Sequence, residues 1–236
     1  MKISQDVSFL NKNISFRGLD VLEIGCGDGV SSQLFARNAR SYIGIDVDKS
    51  AIKKAKSANS GNAKMSFDVG TGADLSRFQD GQFDIVLMFY TFHEIAVQEQ
   101  GKTLRECARV LRPNGKVVIM DPSTDKDGLV QRCFDIIMAE IDWTDHPLMI
   151  RHSDFVLRKS VSSGRFKLLE TKNFAIADTF KNFGKLLQFL DFDPSKLTAQ
   201  QSKNIIRGLK ILLKITDESK QILIDDKLKL TVLVKE

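Results

Sequence analysis

The sequence predicts an α/β fold, a doubly wound and mostly parallel sheet, on three observations. Short apolar runs alternate with helix-like segments through residues 1–121. The runs are β-branched and almost continuously apolar, as strands buried on both faces must be. The first run ends in a glycine-rich turn that leads into a helix, the junction at which open α/β sheets bind ligands.

Taken in order, Asp20-Val-Leu-Glu-Ile reads as the first strand and Ser41-Tyr-Ile-Gly-Ile as the second. Lys64-Met-Ser-Phe, Phe83-Asp-Ile-Val-Leu-Met-Phe and Lys116-Val-Val-Ile-Met follow as the third to fifth. Helical segments lie between them at 31–38, 50–58 and 101–111. The last carries Leu104, Ala108 and Leu111 at helical spacing and stops at Pro113-Asn114-Gly115. Beyond Pro122 the rhythm changes. Residues 126–141 read as a helix, broken by the polar stretch 142–147. Residues 166–174 read as a sixth strand, and Phe180, Phe183, Leu187 and Leu190 mark a helix face. Thr198 and Gln201 form a capping box for another helix, carrying Ile205, Leu209, Leu212 and Leu213. The closing strand, 228–234, is expected to pair with 221–224 across a turn at Asp225-Asp226. One domain over 1–236 is expected, with helical insertions after strands 5 and 6, at 122–163 and 178–220, building a substrate pocket.

A chain of 236 residues, 42% of them hydrophobic, has enough apolar mass for a sizeable core, which excludes global disorder. Three cysteines at irregular spacing fit neither a disulfide framework nor a zinc cluster, and predict a reducing compartment. The N-terminal residues lack the profile of a secretory signal, and the longest apolar run, 85–90, falls far short of the ~20 residues that cross a bilayer. A cytoplasmic protein without membrane contact is expected. The net charge of +5 divides evenly, +3 over residues 1–120 (16 Lys+Arg, 13 Asp+Glu) and +2 over 121–236 (19 and 17). Charges of both signs are interleaved, which disfavours nucleic acid as a partner.

The chemistry resides in Val21-Leu-Glu-Ile-Gly-Cys-Gly-Asp-Gly29, an apolar strand ending in an acid and three alternating glycines. A dinucleotide fingerprint, Gly-x-Gly-x-x-Gly, requires its third glycine at position 30, where Val30 stands. Glu23, two residues ahead of the first glycine, would repel a diphosphate. A cationic ligand without phosphate suits the turn better, and S-adenosylmethionine is such a ligand. Asp46 ends the second strand 21 residues after Gly25, placed to accept hydrogen bonds from ribose hydroxyls; NAD sites use an acid in the same place.

Glu23-Ile-Gly-Cys-Gly-Asp-Gly, Gly44-Ile-Asp46, Phe83-Asp-Ile-Val with Phe92-His93-Glu94, and Arg109-Val-Leu-Arg-Pro-Asn-Gly115 occur in that order. The series resembles the class I S-adenosylmethionine-dependent methyltransferases, most of all the branch acting on small molecules, over roughly residues 18–121. The resemblance implies a seven-stranded Rossmann-like methyltransferase sheet with its last strand antiparallel, and 18–121 as the cofactor-binding core. It implies Glu23 near the methionine ammonium, Gly25, Cys26, Gly27 and Gly29 against the cofactor, and Asp46 with Val47 at the ribose. It places Thr71 and Gly72 near the adenine, Thr71 standing where the family carries an acid, with Asp68 and Asp74 as substitutes. Phe89 and Tyr90 would line the methionine side.

His93 admits two roles, a general base facing the acceptor or a histidine that holds its loop by hydrogen bonding. Trp143, His146 and His152 fall in the first insertion, and the histidine spacing fits no metal motif, so no metal is expected. Cys26 reads as a small buried filler. The 180–192 stretch, with four phenylalanines, packs a core, covers an apolar substrate or lies on a membrane surface, the core being favoured. The predicted activity is methyl transfer from S-adenosylmethionine to a small acceptor by in-line displacement. The absence of an Asn/Asp-Pro-Pro-Tyr run at 89–92 argues against methylation of base amino groups. An NAD(P)-dependent oxidoreductase and a non-catalytic cofactor-binding module are the alternatives.

Overall fold

The computed structural model describes residues 4–123, 128–141, 145–190 and 192–236, and of 145–148 the backbone alone. Trp143 and the side chain of His146 lie outside the described residues. The elements run α1 (Gln5–Asn13), β1 (Asp20–Ile24), α2 (Ser32–Phe35), β2 (Ser41–Asp46), α3 (Lys49–Ala58), β3 (Met65–Val69), β4 (Phe83–Phe89), α4 (Val97–Val110) and β5 (Leu111–Pro122). They continue as α5 (Leu129–Glu140), α6 (Asp145–Ser162), β6 (Phe166–Phe180), α7 (Phe183–Phe189), α8 (Ala199–Leu212) and β7 (Ile222–Lys235).

The strands form one seven-stranded sheet in the order β3-β2-β1-β4-β5-β7-β6. β1 pairs in parallel with β2 and β4, β2 with β3, and β4 with β5. The order reverses at β1, so the β1 and β4 ends flank the switch point, where the glycine turn lies. Asp46 pairs with Val69 and Phe89 with Met120, which puts all four at the carboxyl edge.

The chain divides into two compact units. The first is Met1–Asp121, Arg151–Lys172 and Lys229–Glu236; the second is Pro122–Ile150 and Asn173–Leu228. The core of the first includes Leu22, Ile24, Ile45, Leu75, Phe83, Val86, Met88, Leu104 and Val110, joined by Leu157, Phe166 and Leu233. The second has its own core of Val130, Cys133, Phe183, Leu186, Leu190, Ile205, Leu209, Ile222 and Ile224. Gly208 lets α8 approach α5, since a Cβ there would stand 2.9 Å from Ile136. The Thr198–Gln201 capping box is formed in both directions.

Two expectations at the C-terminal end need correction. Asp225-Asp226 is no turn: β7 runs straight through it, with Ile222, Ile224, Asp226, Leu228 and Leu230 buried at strict period two. Neither position has the left-handed backbone that a tight hairpin demands, and the alternation carries the strand onward. Phe180 ends β6 rather than opening a helix, because Asn182 caps α7 from outside by accepting the Lys185 N–H. Phe183, Leu186 and Leu190 are buried in the second core, so this face packs inward.

Candidate cofactor site at the carboxyl edge

The turn after β1 uses its own donors. The Gly25 and Cys26 N–H groups both donate to the Ile45 carbonyl, at 2.8 and 3.1 Å. The Gly27 N–H donates to Asp46 Oδ2 at 2.8 Å, the Gly29 N–H to the Cys26 carbonyl at 3.0 Å, and the Val30 N–H to Asp28 Oδ1 at 3.2 Å. A diphosphate cradle needs such donors turned outward. Here five are already committed, and the following helix, α2, is a single turn.

The three glycines serve different ends. All have positive φ, at 76°, 53° and 75°. A Cβ on Gly25 would fall 2.3 Å from two atoms of Thr91, and one on Gly29 would press on Phe67 and Ala55 at 3.0 and 3.1 Å. Only Gly27 faces open space. Gly27 therefore leaves bare backbone toward open space, while Gly25 and Gly29 keep the turn packed. Cys26 is buried beneath Gly44, burial pushes its thiol well above the ordinary range, and it is the filler the sequence suggested.

Glu23 is 2% exposed; its Oε2 accepts from the Ser32 hydroxyl and, at 2.9 Å, from Tyr42. Burial raises its pKa to about 7, against these two hydrogen bonds and helped by the nearby Asp46 charge. A buried carboxyl so poised is stabilised as an anion by an arriving cation. Asp46 is held from two sides, by Gly27 at Oδ2 and by the Asp48 N–H at Oδ1, 2.9 Å away. Val47 beside it is 71% exposed, a bare apolar side chain on the same edge.

After β3 the picture is less direct. Thr71 is half-buried and its Oγ1 accepts the Ala73 N–H at 3.2 Å. Gly72 is buried, and a Cβ there would meet Thr103 at 2.8 Å, so its smallness serves packing. Asp68 is engaged by Arg77 at 2.8 Å and Lys56 at 3.4 Å, whereas Asp74 is exposed and caps the Ser76 N–H at 3.1 Å. Arg109 holds this loop from α4, donating to the Leu75 and Phe78 carbonyls at 2.8 and 2.9 Å while pairing with Glu106 and Asp80.

The turn after β4 is built around a residue that the sequence reading missed. Asp121, at the end of β5 and 5% exposed, accepts the Thr91 N–H at Oδ1 and the His93 N–H at Oδ2, each at 3.0 Å. Its Oδ1 also stands 3.0 Å from His93 Nδ1, and Glu94 Oε1 stands 3.0 Å from His93 Nε2. Burial opposes a charge on His93, but Asp121 first and Glu94 second outweigh it and raise the pKa to about 10. Each ring nitrogen thus stands within 3.0 Å of a carboxylate oxygen, an arrangement that favours the protonated ring. Tyr90 adopts φ 54° with its N–H on the Met120 carbonyl at 2.7 Å, and its ring meets Phe89 edge-on at 4.8 Å. A left-handed tyrosine costs about 1–3 kcal/mol, and such outliers gather at ligand sites. His152 lies elsewhere, its Nδ1 2.9 Å from Gln100 Oε1.

Known proteins resemble this chain in sequence and in fold. A family model described as a methyltransferase domain matches residues 22–119. A probable S-adenosylmethionine-dependent methyltransferase of Mycolicibacterium smegmatis is 29% identical over 166 residues, 70% of this chain and 56% of that protein. A ubiquinone biosynthesis O-methyltransferase of Caulobacter vibrioides is 35% identical over 104 residues, 42% of this chain and 39% of that protein. The chain thus spans roughly two fifths to just over half of these relatives' lengths. The crystal structure of a putative methyltransferase from Bacillus halodurans shares the fold at TM-score 0.71 and 18% identity, covering 98% of this chain and 99% of that one. The glycine turn and the strand order accord with a methyltransferase domain over residues 22–119, the part of the chain that the family model matches.

Proposed function

We propose that this protein transfers the methyl group of S-adenosylmethionine to a small-molecule acceptor. The observation that carries the reading is the turn after β1, where five N–H groups are spent internally and whose neighbours Glu23 and Asp46 are acids. That chemistry suits a cationic, phosphate-free ligand and disfavours NAD(P). In this reading Glu23 faces the methionine ammonium, the backbone at Gly27 lies against the cofactor, and Asp46 accepts from the ribose hydroxyls. Val47 lies beside the ribose, Thr71 and Gly72 lie near the adenine, and Phe89 and Tyr90 flank the methionine side.

Bound there, the cofactor supplies a methyl group activated by a sulfonium, with a neutral thioether as leaving group. The chain's own task is to align two partners and exclude water. His93 serves by fixing the turn that carries Tyr90, clamped by Asp121 and Glu94. The insertions at 122–163 and 178–220 select the acceptor, and three buried free cysteines suit a reducing cytoplasm. The ubiquinone biosynthesis O-methyltransferase among the relatives supports a small molecule as the acceptor class.

Calorimetry with S-adenosylhomocysteine and with NADH, side by side, tests the reading. Binding of the first alone is expected. Asp46→Ala should weaken it at least about tenfold, since hydrogen bonds to a charged acceptor contribute about 1.5–3 kcal/mol each. Binding of NADH alone, or an unchanged affinity in the variant, overturns the assignment.

A further inference from the structure

The even division of charge between the two halves of the chain conceals a concentration. Residues 199–214 carry Lys203, Arg207, Lys210 and Lys214 and no acid, +4 of the chain's +5. Their spacing of four, three and four places them in one row along α8 and its C-terminal turn. Lys210 pairs with Glu218 at 2.5 Å, whereas Lys203, Arg207 and Lys214 are exposed and have no ion pair among the described residues. The helix dipole accounts for cations near the C-terminus but not for Lys203, one turn from the N-terminus, where a positive charge is disfavoured.

This row lies along an open groove of about 1000 Å³, wholly within the second unit. Apolar side chains share the lining: Leu197, Ile206, Ile215 and Ile211, the last 69% exposed. An isoleucine so bare beside unpaired cations is the pattern of a surface that meets an amphiphile. From this juxtaposition we propose that the α8 face docks onto an anionic phospholipid surface, its cations on headgroup phosphates and Ile211 in the acyl boundary. Nucleic acid fits less well, because no aromatic side chain lines the groove to stack a base. No helix among the described residues is long and apolar enough to cross a membrane, so the contact is peripheral. The proposal is independent of the methyltransferase reading.

Co-sedimentation of the full chain with vesicles of phosphatidylcholine, with and without phosphatidylglycerol, tests it. Binding is expected only with phosphatidylglycerol, and should weaken as salt is raised. Each lysine or arginine at an anionic surface is worth about a fivefold change in affinity, so the triple change Lys203→Gln, Arg207→Gln, Lys214→Gln should weaken binding about a hundredfold. Ile211→Ser should weaken it severalfold with the charges intact. All four positions are exposed, and unchanged circular dichroism and urea unfolding would verify folding. Equal binding to both vesicle types, no binding to either, a triple variant that binds as before, or binding to an oligonucleotide in place of vesicles would overturn it.

Discussion

Replacing Asp121 by asparagine probes the turn after β4. The carboxylate accepts two backbone N–H groups and faces His93 Nδ1, and it is the largest reason that the His93 pKa rises from 6.5 to about 10. A group whose native pKa lies above its unfolded value stabilises the fold below the unfolded pKa and loses that contribution as pH climbs to the native one. For these two values the contribution is about 4–5 kcal/mol at pH 6 and about 1–2 kcal/mol at pH 9. The amide introduced by Asp121→Asn keeps an acceptor for one N–H but has no charge for the imidazolium. With Glu94 still present part of the stabilisation survives, so the loss should be about 2–4 kcal/mol at pH 6 and clearly smaller at pH 9. Urea unfolding at the two pH values measures this, and NMR titration of the imidazole reads the pKa directly. Equal losses at both pH values, or a native His93 that titrates near 6.5, would refute the clamp.

Three further outcomes follow from the geometry. The raised Glu23 pKa makes the folded protein bind a proton that the unfolded chain releases, so stability is full below about 4.5 and falls as pH rises through 7. Glu23→Gln should remove that slope in chemical denaturation; a variant with the wild-type slope would show that the carboxyl is not the titrating group. If the anion holds the methionine ammonium, S-adenosylhomocysteine should bind about eightfold more tightly at pH 7.5 than at pH 6, by the change in ionised fraction around a pKa near 7, and a flat calorimetric profile would contradict this. Gly25→Ala forces a Cβ onto Thr91 and should cost more than about 3 kcal/mol, whereas Gly27→Ala, facing open space, should cost about 1 kcal/mol and chiefly weaken the cofactor. Thermal melts showing the two variants equally stable would count against this division of labour.

The parallel core was legible because its strands are buried on both faces and their apolar runs are nearly unbroken, as Phe83–Phe89 illustrates. The glycine turn was legible because the positive φ at Gly25, Gly27 and Gly29 restricts residue type there. Other parts were hidden by polar residues at inward positions. The buried stripe of α6 is Ile150, Ser153, Leu157 and Ser160, half serine, so no apolar period betrays the helix. In α1 only Val7 and Leu10 are buried, too few to show a period. Asp226 sits inward in β7 and imitates a turn signal beside Asp225. Asp121 precedes a proline and reads as the start of a loop, although its carboxylate organises the turn across the sheet edge. No local pattern announces a side chain whose partners lie about thirty residues earlier.

The unusual backbone at Tyr90 has a consequence for engineering this protein. A glycine at that position would relieve the strained backbone, because only a residue without a β-carbon adopts such a bend freely. The same change would strip the aromatic wall from the edge of β4. Directed evolution for heat resistance would therefore weigh backbone ease at this position against the ring and its edge-on contact with Phe89.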